Sequence, residues 1–175
     1  YEAKSGLSGT WVDKTADAGL LKSMPYVLKM WPNAKFIVMK RRSIENVNSR
    51  IKKFPYRDFK NHCTGWAQTN KLWLESKKQL PPSTYIEIDQ YDIATKPEEI
   101  ASKLSDFLSL DKKIEENILN IFKKDRPEYT GGNEGKVKSL EETNWTEEEK
   151  EIFLSICGDM TKKCGWGLNN QYYEK

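Results

Sequence analysis

The sequence predicts a mixed α/β chain, and three stretches carry that prediction. Residues 36–40, Phe-Ile-Val-Met and the stem of Lys40, form an apolar run bounded by Pro32-Asn33 and too short for a helix, so they read as a short buried strand. Directly after it, Ser43 is placed to cap a helix whose apolar residues Ile44, Val47 and Ile51 fall at i, i+3 and i+7. Tyr85-Ile86-Glu87-Ile88 alternates as a second strand and is followed by Pro97 and a further helical stretch.

Composition sets the outer bounds. With 175 residues, 37% hydrophobic and 11% aromatic, the chain is expected to form one soluble domain over residues 1–175 with enough apolar material for a core. Its 29 basic and 26 acidic residues are interspersed, giving a net charge of +3, which argues against a nucleic-acid binder and leaves room for a local anion site. No apolar run approaches the length of a membrane span, and no signal peptide is visible. Cys63, Cys157 and Cys164 are odd in number and lack CxxC spacing. Neither a disulfide framework nor a metal site is expected, and a reducing, cytoplasmic compartment fits.

Taken in order, residues 1–15 open with Lys4-Ser5-Gly6, which reads as a Gly/Ser-rich connector. A helical pattern follows, with Leu20, Leu21, Met24, Val27, Leu28 and Trp31 on one side, and Pro25 predicts a kink or a second short helix within it. The strand at 36–40 then breaks at Arg41-Arg42. Two guanidinium groups at a strand end, beside a helix N-terminus with its oriented N–H groups, are suited to a phosphate site. Asn46, Ser49 and Lys53 form one polar line opposite the apolar stripe, either a ligand face or a solvated surface.

Phe54-Pro55-Tyr56 ends that helix, and a long one is predicted from about Phe59 to Lys78, with Trp66 in the core. His62, the only histidine, reads as a partly exposed helix residue. Pro81-Pro82 ends this unit. After the second strand, Asp92 is expected to tie the turn, and the helix after Pro97 ends in Phe107-Leu108-Ser109-Leu110. A helix at 112–124, a loop at 126–135 with three glycines, and a final helix from about Thr146 to Lys163 complete the chain. Thr146 with Glu149 makes a capping box, and the helix closes on Cys164-Gly165-Trp166.

Several of these segments, in this order, resemble the sulfotransferases that use 3′-phosphoadenosine 5′-phosphosulfate (PAPS). In that family a strand ends in an arginine and a serine follows eight residues later, both holding the cofactor's 3′-phosphate; Arg41 and Ser49 have that spacing, and Lys53 matches a further basic residue found in some members. Asp13-Lys14-Thr15 resembles the family's lysine-threonine-proline segment, with Ala16 in place of proline, and the resemblance makes Lys14 a candidate electrostatic stabiliser of charge in transfer. The strand at 85–88, Gln90-Tyr91-Asp92-Ile93, Pro97 and Phe107–Leu110 form the most extended match, although Gln90 replaces a tyrosine and Ser109 a glycine. Gly135-Lys136-Val137-Lys138 stands where relatives carry a basic loop over the 3′-phosphate, which makes Gly135 and Lys136 cofactor-binding candidates.

The resemblance implies a P-loop, nucleoside-kinase-like three-layer α/β fold, its mainly parallel sheet flanked by helices and its ligand at the strand C-terminal ends. It implies transfer of a sulfuryl group from PAPS to a hydroxyl or amine of a small-molecule, carbohydrate or peptide acceptor, releasing 3′-phosphoadenosine 5′-phosphate (PAP). Only three residues precede Lys4, too few for the strand that a phosphosulfate loop needs. The chain is therefore expected to be part of a longer enzyme, or else a non-catalytic nucleotide- or anion-binding module on the same fold. A P-loop kinase is disfavoured, since no GxxxxGK[ST] stretch exists.

Overall fold

A computed structural model describes residues 12–15, 17–124 and 137–174. Its elements, in order, are α1 (Gly19–Met30), β1 (Phe36–Lys40), α2 (Ser43–Lys53), α3 (Phe59–Ser76), β2 (Tyr85–Asp89), α4 (Gln90–Thr95), α5 (Pro97–Leu108), α6 (Lys112–Lys124) and α7 (Glu147–Lys163). Among the described residues the sheet has two strands, β1 and β2, which pair in parallel from Phe36 opposite Tyr85 to Lys40 opposite Asp89. The fold is thus mixed α/β with a parallel sheet, and both strands end at the same edge of the molecule.

Alternation of side chains across the pleat assigns the faces. Phe36 and Val38 pack with Leu21 and Met24 of α1 and Trp73 of α3. On the other face Ile86 and Ile88 pack with Ile100 of α5, flanked by Phe107 and Phe122. That cover stops at β2: Ile37 and Met39, in register with Ile86 and Ile88, are 44% and 55% exposed. The strand expected to be buried is therefore half-buried on one face and exposed on the other. A third cluster joins Ile44 and Val47 of α2, Cys63 and Trp66 of α3, Phe153 and Cys157 of α7, and Trp166.

Local signals explain most boundaries. The Thr146–Glu149 capping box is formed in both directions, 3.2 Å and 2.8 Å, and starts α7. Gly165 takes φ +78° and ends it, with the Trp166 amide donating to the Thr161 carbonyl at 3.1 Å. At the end of α5 the same left-handed position falls to Ser109, φ 59°, where the amide of Leu110 returns to the Ser105 carbonyl at 2.9 Å.

Three expectations fail for identifiable reasons. Pro25 leaves α1 a single helix; it forfeits one N–H bond, but Leu21 and Met24 on the preceding turn stay anchored in the core. Ser43 does not cap α2. It is the first helical residue, after Arg42, and its buried hydroxyl meets Thr161 Oγ1 of α7 at 2.8 Å. Asp89, rather than Asp92, secures the turn after β2: its carboxylate accepts from the Tyr91 amide at 3.0 Å and caps α4. Asp92 accepts instead from the Tyr173 hydroxyl at 2.7 Å and pairs with Lys96 at 3.8 Å.

Candidate anion-binding site at the end of the first strand

The site is built by the passage from β1 into α2. Arg41 stands one residue past the strand and is half-buried. Its carbonyl accepts from the indole Nε1 of Trp66 at 3.1 Å, so a core tryptophan on α3 fixes the backbone from which the guanidinium projects. Trp66 itself is 3% exposed, as expected for core.

Arg42 has a different fate from its neighbour. It is fully buried, its Nε donates to Glu45 Oε2 at 2.7 Å, and its Nη1 donates to the carbonyls of Gly167, Asn169 and Gln171 at 3.1, 3.0 and 3.4 Å. Nη2 donates to the Lys138 carbonyl at 2.6 Å and also pairs with Glu45, while the Tyr172 ring lies 5.2 Å from the guanidinium. All of its donors are spent within the chain. The pair of arginines that looked suited to a phosphate is therefore one ligand-facing candidate and one structural hub. The Arg42 amide is also taken, by Tyr172 Oη at 3.0 Å.

Along α2, Asn46 and Ser49 are half-buried and Lys53 is exposed at the last turn. Ser49 is the seventh residue of the helix, about 9 Å along its axis from Ser43. Asn46 Oδ1 is buried without a hydrogen-bond partner among the described residues. Buried polar atoms are ordinarily satisfied, so a polar atom left over on this line is what a polar ligand would use. Lys53 lies 5.5 Å from the Phe54 ring. Lys40 is held between Glu87, 3.6 Å away, and the face of Trp166 at 5.0 Å.

The other candidates are dispersed or beyond view. Lys14 is exposed in the coil ahead of α1. Gly135, Lys136 and the Lys4-Ser5-Gly6 connector lie outside the described residues. His62, expected to be partly exposed, is 1% exposed on the inward face of α3. Burial lowers its pKa, with the Arg50 guanidinium as the next cause; the Phe54 carbonyl opposes this without reaching hydrogen-bond geometry.

The end of β2, beside this site, is closed by the C-terminal segment. Asp89 accepts from Tyr172 Oη at 2.6 Å and from Trp166 Nε1 at 2.8 Å. Burial pushes its carboxyl above the usual range, and the bonds from Tyr172, Tyr91 and Trp166 pull it back in part. Tyr172 is pushed up in turn by its own burial and by the Asp89 carboxylate. The sequence pattern held no sign of this network beyond aromatic residues in a short tail.

With this geometry in place, the sulfotransferase family profile matches residues 6–114, more than half of the chain and all of the β1–α2–β2 region. The chain belongs to the sulfotransferase family. Among solved structures it is similar to the sulfotransferase domain from the curacin biosynthetic pathway, at 25% identity and a TM-score of 0.44, over 52% of this chain and 36% of that one. This sulfotransferase chain thus spans little more than a third of the length of that solved relative. Among curated protein sequences none matches significantly. No helix among the described residues is long and apolar enough to cross a membrane, and no cluster of His, Cys, Asp or Glu there could hold a metal ion.

Proposed function

We propose that the chain holds the 3′-phosphate of PAPS at Arg41 and Ser49 and serves sulfuryl transfer to a hydroxyl or amine acceptor. One observation carries this reading. A polar line of Asn46, with an orphaned carbonyl oxygen, and the half-buried Ser49 leaves the C-terminal end of a parallel strand beside a half-buried arginine, within the stretch that matches the family. Ligands of open α/β sheets sit at such strand ends. The proposal extends to a nucleoside-kinase-like three-layer fold and to a single domain over residues 1–175.

The groups present suit an oxyanion. Arg41 supplies a planar fork for two phosphate oxygens, and its backbone is already fixed by Trp66, so little is lost in ordering it. Ser49 donates one neutral hydrogen bond, and Lys53 adds charge from the last turn. Asn46 can turn its amide nitrogen toward the same oxygens. When bound, the donor supplies the sulfuryl group and leaves as PAP. Lys14 is proposed to stabilise negative charge during transfer, and Gly135 and Lys136 to close over the nucleotide. Positive charge aimed at the leaving oxygen, together with alignment, is the usual source of rate in such transfers.

Calorimetry with PAP tests the assignment. Arg41→Ala should weaken binding by about 10- to 100-fold, the worth of a charge-assisted hydrogen bond, and Ser49→Ala by about 3- to 10-fold. Unchanged affinity in Arg41→Ala, with the thermal unfolding midpoint of the variant preserved, would overturn it. Transfer of labelled sulfate from PAPS to a panel of phenols, sugars and peptides then separates an enzyme from a nucleotide-binding module.

A further inference from the structure

A second cationic cleft lies away from the strand end. Asn61, Thr64, Gly65 and Gln68 recur at i, i+3, i+4 and i+7 and form one polar stripe on α3, opposite the buried face of His62, Cys63, Trp66 and Trp73. Arg50 from α2 and Arg57 from the connection before α3 complete an open cleft of about 330 Å³ with that stripe. The absence of a side chain at Gly65 makes the room: a Cβ there would stand 3.0 Å from Arg50 Nη2.

The two guanidinium groups have no carboxylate partner among the described residues. Arg50 Nε is buried and has no hydrogen-bond acceptor. Arg57 is held by aromatic faces alone, 5.1 Å from the Phe54 ring and 5.8 Å from that of Tyr56. The neighbouring carboxylate, Asp58, is committed: its two oxygens accept from the backbone and side-chain nitrogens of Asn61, each at 2.6 Å. Two arginines, the Thr64 hydroxyl and the Gln68 amide therefore line one cleft along the N-terminal half of α3.

The geometry points to an oxyanion-binding subsite in this cleft, taking a sulfate, phosphate or carboxylate group through Arg50 and Arg57, distinct from the groups proposed to hold the nucleotide. Arg50 is turned about 100° from Ser49 around α2 and neighbours Asn46 (i−4) and Lys53 (i+3), so the cleft borders the Asn46–Ser49–Lys53 line but is built from other side chains, Arg50 and Arg57 with the stripe on α3. The subsite does not rest on the nucleotide reading. The oxyanion can be a free ion or a group on a larger ligand, and the chemistry at the arginines is the same.

His62 is the only histidine, so one imidazole resonance reports on the cleft, and its neighbours Arg50 and Arg57 already depress its pKa after burial has done so. Asp58 acts in the opposite direction. The experiment titrates the full chain with sodium sulfate against sodium chloride at matched ionic strength, following that resonance by NMR. A saturable shift with sulfate, and a rise in the His62 pKa at saturation, is expected. Arg57→Gln, at an exposed position, should weaken the response at least threefold, as should Gly65→Ala, which displaces the Arg50 guanidinium without removing charge. Arg41→Ala should leave it intact, which separates failure here from failure of the nucleotide site. Glucose 6-sulfate run beside inorganic sulfate identifies the source: tighter binding of the sugar sulfate supports a handle on a larger ligand, and equal binding supports a free anion. A response that is linear, the same in chloride, or unchanged in both Arg57→Gln and Gly65→Ala would overturn the proposal.

Discussion

The two strands run in parallel and end side by side, yet their ends are used in opposite ways. β1 runs out into the half-buried Arg41, with Asn46 Oδ1 on the following helix buried and unpaired among the described residues, whereas β2 runs out into Asp89, whose carboxylate is enclosed by Tyr172, Trp166 and the Tyr91 amide. The same contrast separates two adjacent residues. Arg42 is fully buried and spends its donors on Glu45 and on carbonyls of Lys138, Gly167, Asn169 and Gln171, while Arg41 is half-buried and its carbonyl accepts from the Trp66 indole. The end of β2 is therefore a structural clasp, and the end of β1 is where the ligand site is proposed.

Substitutions should break this contrast in a definite order. Arg42→Ala is expected to cost about 3–5 kcal/mol, because it removes a buried cation and strands Glu45 together with several carbonyls; denaturant unfolding measures it. Arg41→Ala should change stability by less than about 1 kcal/mol in the same experiment. Equal losses at the two positions would erase the distinction between hub and ligand residue.

Asp89→Ala should come next, at about 2–4 kcal/mol, since the Tyr172 hydroxyl and Trp166 indole would be left buried without an acceptor. Near-ultraviolet circular dichroism should register the freed aromatic tail.

Glu87 and Asp89, two residues apart on β2, sharpen the comparison through pH. Burial raises the Glu87 carboxyl, but the Trp73 indole bond and then Lys40 and Lys77 more than offset it, leaving the pKa below its usual value. Its contribution is therefore fully present above the unfolded pKa near 4.5 and is lost as pH falls through the lower folded value. Asp89 is raised, so the stability linked to its protonation is lost as pH rises through its folded pKa. Glu87→Gln should cost about 1 kcal/mol at neutral pH and give a flatter acid limb of stability than the parent chain. A steeper limb would show that the Trp73 and lysine contacts do not hold the carboxylate charged.

The smallest effect is expected at the end of α5. Ser109 occupies a left-handed position, φ 59°, that favours glycine, and Ser109→Gly should stabilise the chain by about 0.5 kcal/mol, read as a small rise in unfolding midpoint.

Much of this architecture was legible in the residues. The periodicity of Ile44, Val47 and Ile51 placed α2, the alternation at 85–88 placed β2, and the Thr146–Glu149 box located the start of α7, because each is decided within a turn or two of chain. The Arg41–Ser49 spacing likewise marked the candidate site, and both residues do lie on the β1–α2 passage. What failed were statements about neighbours far along the chain. Ser43 looked like a cap because Thr161, 118 residues away, was not foreseeable as its partner. His62 looked half-exposed because the inward face of α3 is defined by α2 and α7.

By itself, then, the sequence determined the order and type of most elements and pointed to the family and to the strand end proposed as the phosphate site. These follow from local periodicity, caps and short spacings, which the backbone obeys wherever it is placed. Only the tertiary structure decided that Arg42 is the buried one of two adjacent arginines, that Asp89 rather than Asp92 is the enclosed carboxylate, and that Arg50 and Arg57 converge on one stripe of α3. Those outcomes depend on which surfaces pack together, and burial, not residue type, assigns a guanidinium or a carboxylate its partners.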